Sequence, residues 1–290
     1  MTHIPSTGCY ESEKDPRNFI YTLGVIPSKI GGVRYGAKDI ENQSKPGTCT
    51  ATSLVMNTQR ATGKNYSDDF QYLLQKKFID LNWSEGSSIL SALKAAKNYG
   101  FLPQELWTFT TQADKDMGYA HYINKLKEVS TTDIQNLLTK TEKVLTAYAS
   151  VPVNRDIMAS AIASSKAGIL VRFECGESWY TAPNGQLSWD KKDLEPLRKP
   201  KTVVSGHAVT ISNYDGGSYR IANSWSAAWS DSGTAYSLFN TYLPTECWSV
   251  FYDKLPPEIE EQILNKEQKL DIKKKITSLF DIIIELIKKL

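Results

Sequence analysis

One of the four cysteines stands where a thiol could act as a nucleophile. Cys9, Cys49, Cys175 and Cys247 form no CxxC pair, and no cysteine–histidine cluster has zinc-site spacing. Thiol catalysis needs a thiolate, a base that takes its proton, and donors for the oxyanion. Cys49 follows the turn-forming Pro46-Gly47 and precedes a stretch that predicts a helix, whose N-terminus would stabilise a thiolate. We therefore predict Cys49 as the nucleophile, and the other three as small buried hydrophobes in a reducing compartment.

Elimination among the three histidines gives the base. His3 belongs to a polar tail and His121 to a polar helical stretch, whereas His207 opens an apolar strand. A general base must be held rigidly within reach of the nucleophile, which favours His207. Taken alone, however, a histidine that begins a strand is more often a structural residue.

Three motifs in the order Cys, His, Asn resemble those of the papain family of cysteine peptidases. The stretch QSKPGTC, residues 43–49, is similar to the family segment in which a glutamine six residues before the cysteine donates to the oxyanion. Gly206-His207-Ala208-Val209 resembles the histidine strand, and NSWSAAWSDSG from Asn223 resembles the asparagine motif. The resemblance implies a triad of Cys49, His207 and Asn223, with Asn223 fixing the imidazole and Gln43 serving as oxyanion donor.

The resemblance also implies a substrate cleft. Glu85-Gly86-Ser87, followed by a predicted helix, is similar to the glycine-containing segment that lines the family's cleft. Gly206 and Trp225 lie in the histidine and asparagine motifs and are assigned to substrate binding, and Trp225 would also shield the His–Asn bond from water. The implied substrate is a polypeptide, and neither a metal nor another cofactor is implied.

The chain departs from the family pattern at several positions. Thr50 replaces the tryptophan that usually follows the nucleophile, and Pro46 replaces a cysteine, so one common family disulfide cannot form. Ser226 and Ser230 replace two glycines. The segment before residue 30 is shorter than the inhibitory propeptide of secreted members, so we expect an enzyme made without a conventional zymogen.

Hydrophobic patterning predicts the elements that must position these residues. Helices are expected from Cys49, over 87–100, within 112–150 on both sides of a break near Ser130, and over 154–166. A buried strand over 167–175 and a hairpin around Asp215-Gly216-Gly217 follow. Helices followed by antiparallel strands predict an α+β, papain-like fold with the active-site cleft between a helical half and a β half. We divide the chain into an N-terminal extension (1–29), a peptidase domain (30–252, with a helical insert over about 112–150) and a C-terminal amphipathic helix (253–290).

Composition excludes several partners. The 34 basic and 32 acidic side chains nearly balance, at a formal charge of +2, so no basic face for nucleic acid is expected. No window reaches the ~18 apolar residues of a membrane span, and the N-terminus lacks the pattern of a signal peptide. These features predict a cytoplasmic or virion-associated protein.

The C-terminal residues carry a heptad pattern. Apolar residues are spaced by alternating steps of four and three at Ile272, Ile276, Leu279, Ile283, Leu286 and Leu290. This helix could dock on its own domain, form a homo-oligomer or larger assembly through residues 258–290, or lie on a membrane surface.

Two rival functions remain open at this stage. The first is a catalytically degenerate papain-like homologue with a structural or binding role in a larger assembly, for instance a phage particle. The second is a thiol-dependent hydrolase of peptidoglycan or another amide. A peptidase would cleave unfolded protein, a wall hydrolase would clear cell-wall suspensions, and a structural relative would do neither.

Overall fold

A computed structural model describes residues 7–15, 18–21, 31–176, 178–182, 185–187, 205–238 and 243–253, together with 255, 257, 260, 261, 264, 265 and 276. The chain divides into two compact units, Met1–Asp253 and Lys254–Leu290. The residues with predicted catalytic roles all lie in the first unit.

Helices dominate the first half of unit one and thin out afterwards. In the described parts of the chain they are α1 (Cys49–Thr62), α2 (Asp68–Leu74, extended by a π-type turn over Gln75–Asp80), α3 (Ile89–Tyr99), α4 (Gln112–Asp116), α5 (Tyr119–Glu128), α6 (Thr131–Leu138), α7 (Arg155–Ser164) and α8 (Ser178–Thr181), with short 3-10 turns over Ala37–Asp39 and Gln104–Leu106.

The strands build one large sheet and one small ladder. They are β1 (Cys9–Tyr10), β2 (Phe19–Ile20), β3 (Gly31–Gly32), β4 (Ser87–Ser88), β5 (Ala147–Ser150), β6 (Ile169–Cys175), β7 (Gln186–Leu187), β8 (Ser205–Tyr214), β9 (Ser218–Ala222), β10 (Thr234–Leu238) and β11 (Glu246–Phe251). The sheet has the order β2-β5-β11-β6-β8-β9-β10-β7, with β3 also pairing with β8, while β1 pairs separately with β4. The central pairs from β5 to β10 are antiparallel. The α+β prediction is confirmed.

Helix α1 forms the buried spine of the helical half. Its first ten residues, Cys49 to Thr58, are all buried, so the helix has no solvent face until its last turn. On such a helix, every side chain must either be apolar or have its polar atoms hydrogen-bonded within the protein. The hydroxyl of Thr58 therefore donates to the carbonyl of Leu54 at 2.8 Å. Gly63 ends the helix with a left-handed φ of 74°.

The predicted hairpin joins β8 to β9. The carboxylate of Asp215 accepts the N–H groups of Gly217 and Ser218 at 3.0 and 2.7 Å, which closes the turn. The antiparallel register then sets Thr210 opposite Ala222. Because the chain leaves β9 at Ala222, the next residue, Asn223, emerges beside the first half of β8.

The insert is helical only in its first part. Ser130 caps α6, accepting the N–H of Asp133 at 3.0 Å, as the sequence predicted. Residues 139–150 of the insert are not helical, and Ala147–Ser150 enters the large sheet as β5 between β2 and β11. Period-based reasoning missed this strand because it is only four residues long.

The C-terminal unit is described at only a few positions. Pro257, Glu260, Glu261, Leu264 and Asn265 are helical, and Ile276 is helical with 48% of its surface exposed. The other residues of the predicted heptad lie outside the described residues. No helix among the described residues has both the length and the apolar character needed to cross a membrane.

Candidate active site

The predicted nucleophile is the first residue of α1. Thr48 precedes the helix and Cys49 begins it, fully buried. One turn later the hydroxyl of Ser53 donates to the carbonyl of Ala208 at 2.8 Å, which ties the start of α1 to β8. Helix α1 and the strand that carries His207 are therefore joined directly behind the thiol.

His207 and Asn223 are brought together across the hairpin. The Nε2 atom of His207 lies 2.7 Å from Oδ1 of Asn223, and both side chains are fully buried. Because Oδ1 also accepts the N–H of Ser224 at 2.8 Å, it acts as the acceptor, and we assign the ring proton to Nε2. Nδ1 then carries the lone pair and has no hydrogen-bond partner among the described residues. A base held this way can take a proton at Nδ1.

Aromatic rings surround the imidazole. Trp225 stacks on His207 with ring centroids 4.7 Å apart, and Tyr180 stacks on Trp225 with ring centroids 5.2 Å apart. Trp179 meets His207 edge-on at 5.8 Å, while Nε1 of Trp229 donates to the carbonyl of Trp179 at 2.7 Å. These rings exclude water from the His–Asn bond. Sequence reasoning anticipated Trp225 but missed α8, whose two aromatics carry no motif near the histidine.

Gln43 is anchored to the residue that follows Asn223. The Gln43 N–H donates to the carbonyl of Ser224 at 2.9 Å, and the Ser224 hydroxyl donates to Oε1 of Gln43 at 2.5 Å. Because this hydroxyl donates its proton, the acceptor end of the amide faces Ser224. Nε2 is thereby turned toward its own loop, where it donates to the carbonyl of Pro46 at 3.1 Å. Sequence reasoning missed Ser224, although its place inside the asparagine motif was a signal.

Burial sets the protonation of the pair. Burial raises the pKa of Cys49, and the backbone N–H groups of Ala208 and Gly8 partly oppose the shift. Burial likewise lowers the pKa of His207 to about 4, against the effect of the hydrogen bond that the ring donates to Asn223. Both shifts favour the neutral forms of the Cys49 thiol and of the His207 imidazole in this closed arrangement.

The burial comes in part from the chain's own N-terminal segment. Strand β1 runs parallel to β4, with Cys9 opposite Ser87 and Tyr10 opposite Ser88. The N–H of Ser87 donates to the carbonyl of Gly8 at 2.8 Å. Residues 8–10 thus lie as an extended strand along the segment that was predicted to bind substrate.

The fit of this strand is close enough to require glycine at Gly8. A Cβ atom at Gly8 would lie 2.7 Å from the carbonyl oxygen of Gly47 and 2.9 Å from Cα of Gly86, which no real contact tolerates. The backbone of Gly8 is therefore wedged between the loop before the nucleophile and the start of β4.

The other wall of the cleft also touches the strand. A Cβ atom at Gly206 would overlap the carbonyl oxygen of Cys9, and Nε of Arg172 donates to that same oxygen at 3.0 Å. The hydroxyl of Tyr10 donates to the carbonyl of Glu85. The predicted substrate-binding residues Glu85, Gly86, Ser87 and Gly206 thus all contact residues 8–10, while Trp225 lies against the histidine instead.

Among the described residues, no group of three or more His, Cys, Asp or Glu side chains could hold a metal ion. Several acidic and basic side chains of the helical half form ion pairs. Lys115, for example, lies 2.9 Å from Asp69 and 3.0 Å from Asp68.

Comparison with known proteins gives matches only among solved structures, since no family model and no curated protein matches the chain. Xylellain, a cysteine protease from Xylella fastidiosa, superposes with a TM-score of 0.64 at 21% identity, over 86% of this chain and 96% of that one. A procathepsin B from Trypanosoma congolense gives 0.55 at 13% identity, over 86% and 87%. Digestive procathepsin L 3 of Tenebrio molitor gives 0.54 at 13% identity, over 80% and 72%. The fold of this chain is therefore that of the papain-like cysteine proteases.

Proposed function

We propose that the chain is a cysteine-type peptidase in which Cys49 attacks, His207 transfers protons and Asn223 orients the imidazole. The observation that carries the proposal is the 2.7 Å contact between Nε2 of His207 and Oδ1 of Asn223. It commits one ring nitrogen to the orienting bond and leaves the other for the thiol proton.

The reaction would proceed as acyl transfer. Nδ1 of His207 takes the proton of the Cys49 thiol, and the sulfur attacks a peptide carbonyl to form a tetrahedral oxyanion. The backbone N–H of Cys49 and the Gln43 amide would stabilise that oxygen. The imidazolium then protonates the leaving amine, and the neutral ring activates the water that hydrolyses the thioester.

A polypeptide substrate is supported by what already lies in the cleft. Residues 8–10 pair with Ser87–Ser88 through backbone hydrogen bonds, which is how an extended peptide adds to an exposed strand. The glycines that line the path admit a main chain and exclude a bulkier or branched ligand. A peptide is thus a better match for this surface than the glycan portion of peptidoglycan.

The segment is placed where it can block the thiol. The backbone N–H of Gly8 is among the groups that lower the pKa of Cys49, against the effect of burial, so it lies next to that thiol. Cys49 is fully buried beneath it. We propose that the peptidase is latent in this arrangement and that the segment must lift before substrate can enter.

A degenerate homologue with a binding role is the second candidate. The observation that favours it is the complete burial of both Cys49 and His207, with pKa shifts that oppose the reactive ion pair. In that case the thiol would stay inert even after the N-terminal segment is displaced.

The two candidates are separated by covalent labelling with an epoxysuccinyl inhibitor, read as intact mass. The proteins are wild type, Cys49→Ala, Gly8→Ala and the control Gly217→Ala. Gly8→Ala introduces the forbidden Cβ atom, whereas Gly217 has open space around its Cβ position. Overpacking typically costs ~1–3 kcal/mol, so labelling of Gly8→Ala should be about tenfold faster or more than labelling of wild type.

A single adduct that disappears in Cys49→Ala would establish an activated Cys49 and justify a screen of peptide substrates. If folded Gly8→Ala gains no adduct, or if labelling survives in Cys49→Ala, the peptidase proposal fails and the degenerate homologue is favoured.

Residues 258–290 are proposed, on their heptad pattern, to mediate a homo-oligomer or attachment to a larger assembly. We likewise propose, from the sequence, a cytoplasmic or virion-associated location.

A further inference from the structure

The loop Gln43–Thr48 delivers both oxyanion donors that the proposed reaction needs. The Gln43 side chain stands at its start, and the N–H of Cys49 follows its end. Ser44, the second residue, has a left-handed φ of 56°, a conformation that L residues with side chains seldom adopt. A six-residue loop with such a residue requires contacts from outside to hold its shape.

Glu85 binds the end of this loop, at Gly47, next to the proposed nucleophile. Its Oε1 accepts the N–H of Gly47 at 2.9 Å. A Cβ atom at Gly47 would lie only 3.1 Å from Cγ of Glu85, so the side chain of Glu85 packs directly on the glycine. Hydrogen bonds to a charged acceptor are roughly twice as strong as neutral ones. Gly47 lies two residues before Cys49, so this bond fixes the peptide that leads to the oxyanion N–H.

Asp116 holds the start of the loop from the helical insert. Its Oδ1 accepts the hydroxyl of Ser44, the residue directly after Gln43. The Ser44 N–H is meanwhile bonded to Oδ1 of Asn42 at 3.0 Å. Asp116 is exposed to solvent, so this bond is expected to contribute less than the half-buried one from Glu85.

The insert can serve as a support because it is itself anchored. Lys115, beside Asp116 on α4, is buried and pairs with Asp68 and Asp69. The hydroxyl of Thr52 on α1 donates to Asp68 at 2.8 Å. A continuous series of polar contacts thus joins α1 to α4 and returns to the oxyanion loop at Ser44.

We propose that Glu85 and, more weakly, Asp116 are positioning residues that hold the oxyanion loop of this site. This inference rests on the proposed peptidase function and changes the role of Glu85 from substrate binding to loop support. It also gives the helical insert a role, since α4 supplies the second carboxylate. Neither residue touches the reacting atoms.

The test compares turnover with thiol reactivity in full-length Gly8→Ala protein, where the cleft is opened. Second substitutions are Glu85→Ala, Glu85→Gln, Asp116→Ala, Ser44→Ala and the exposed control Glu105→Ala. A misplaced donor costs on the order of tenfold to a hundredfold in kcat for a peptide substrate, which we expect for Glu85→Ala. Asp116→Ala and Ser44→Ala should each lose about threefold, and Glu85→Gln, which keeps an acceptor, should lose about as little.

Alkylation of Cys49 by iodoacetamide provides the second readout, because this reaction forms no oxyanion. Its rate should change by less than about twofold in every variant. A fall in kcat with unchanged alkylation supports positioning. Equal falls in kcat and in the alkylation rate, or an unchanged kcat in Glu85→Ala, would overturn the proposed positioning role. If Glu85→Ala does not fold, Ser44→Ala and Glu85→Gln are tested against the same expectations.

Hydrogen exchange of peptides covering residues 43–49 tests directly whether Glu85 holds the loop. Faster exchange in Glu85→Ala than in the Glu105→Ala control is expected, with no change in α1 beyond its first turn or in β8. Unchanged exchange would refute the loop support. If the Gly8→Ala protein is alkylated at Cys49 but cleaves no peptide, the proposed function fails, while the exchange result still decides whether Glu85 holds the loop.

Discussion

A single oxygen atom, Oδ1 of Asn223, fixes the orientation of the Asn223 amide relative to the His207 ring. Oδ1 of Asn223 receives Nε2 of the ring and the N–H of Ser224, so the amide cannot flip without leaving two donors unsatisfied. Ser224 also presents its carbonyl and its hydroxyl to Gln43. Two adjacent residues, Asn223 and Ser224, therefore hold His207 on one side and Gln43 on the other.

Loss of the Asn223 side chain should impair turnover more than stability. We expect Asn223→Ala in the Gly8→Ala protein to lower kcat on the order of tenfold to a hundredfold, because the imidazole can then rotate out of line. Asn213→Ala, on the same hairpin but away from the ring, is the control. Steady-state hydrolysis of a peptide substrate measures the effect, and equal kcat values for the two variants would show that Asn223 does not orient the base.

At the scale of elements, the N-terminal strand and β4 form a ladder of only two residue pairs. So short a ladder is weak by itself. It is reinforced by side-chain contacts at its edges, including the Tyr10 hydroxyl on Glu85, the Arg172 guanidinium on Cys9, and an ion pair of Asp15 with Lys94 at 3.4 Å. Removing these contacts one at a time should therefore open the cleft by degrees.

Tyr10→Phe tests this gradation. The tyrosine is about half exposed, so the substitution removes its hydroxyl bond and little packing. A hydrogen bond contributes ~1 kcal/mol, so inhibitor labelling of Cys49 should accelerate about fivefold, less than in Gly8→Ala. The intact-mass time course measures it, with Tyr236→Phe, whose hydroxyl bonds Arg220 on the outer hairpin, as control. A rate equal to that of wild type would show that the Tyr10 hydroxyl does not help to hold β1 in the cleft.

Local patterns in the sequence located α1, α3, the helices on both sides of Ser130 and the β8–β9 hairpin, because each has its own cap or turn residues. The relation of Cys49, His207 and Asn223 came from motif order. Three features had no local signal. The position of residues 8–10 in the cleft depends on Gly8 meeting Gly47 and Gly86, the aromatic cover depends on α8, and the loop support depends on Asp116. Each is a contact between distant residues that no periodicity encodes.

For the molecule as a whole, burial has opposite outcomes for the charge of two titratable side chains, Lys115 and His207. Burial tends to lower the pKa of Lys115, but Asp68 and Asp69 outweigh it and raise that pKa, so the cation is retained. No carboxylate among the described residues compensates His207, whose ring is held by the neutral amide of Asn223. The first arrangement is a stable ion pair, whereas the second makes the folded state sensitive to acid.

His207 should therefore make folding stability depend on pH. The unfolded ring takes up a proton near its ordinary value of 6.5, but the folded ring does so only near pH 4, since burial lowers its pKa to about 4. Between these values the unfolded state binds more protons, so the free energy of unfolding falls as the pH falls. The stabilisation is complete above about pH 6.5 and is lost by about pH 4, a difference on the order of 3 kcal/mol.

Urea unfolding of wild type and His207→Gln at pH 7.5 and 4.5 isolates this contribution, because all other titrating groups, including the partly buried Glu41, are common to both. We expect the wild type to lose more stability than the variant, and equal losses would mean that the ring is solvated in the folded state.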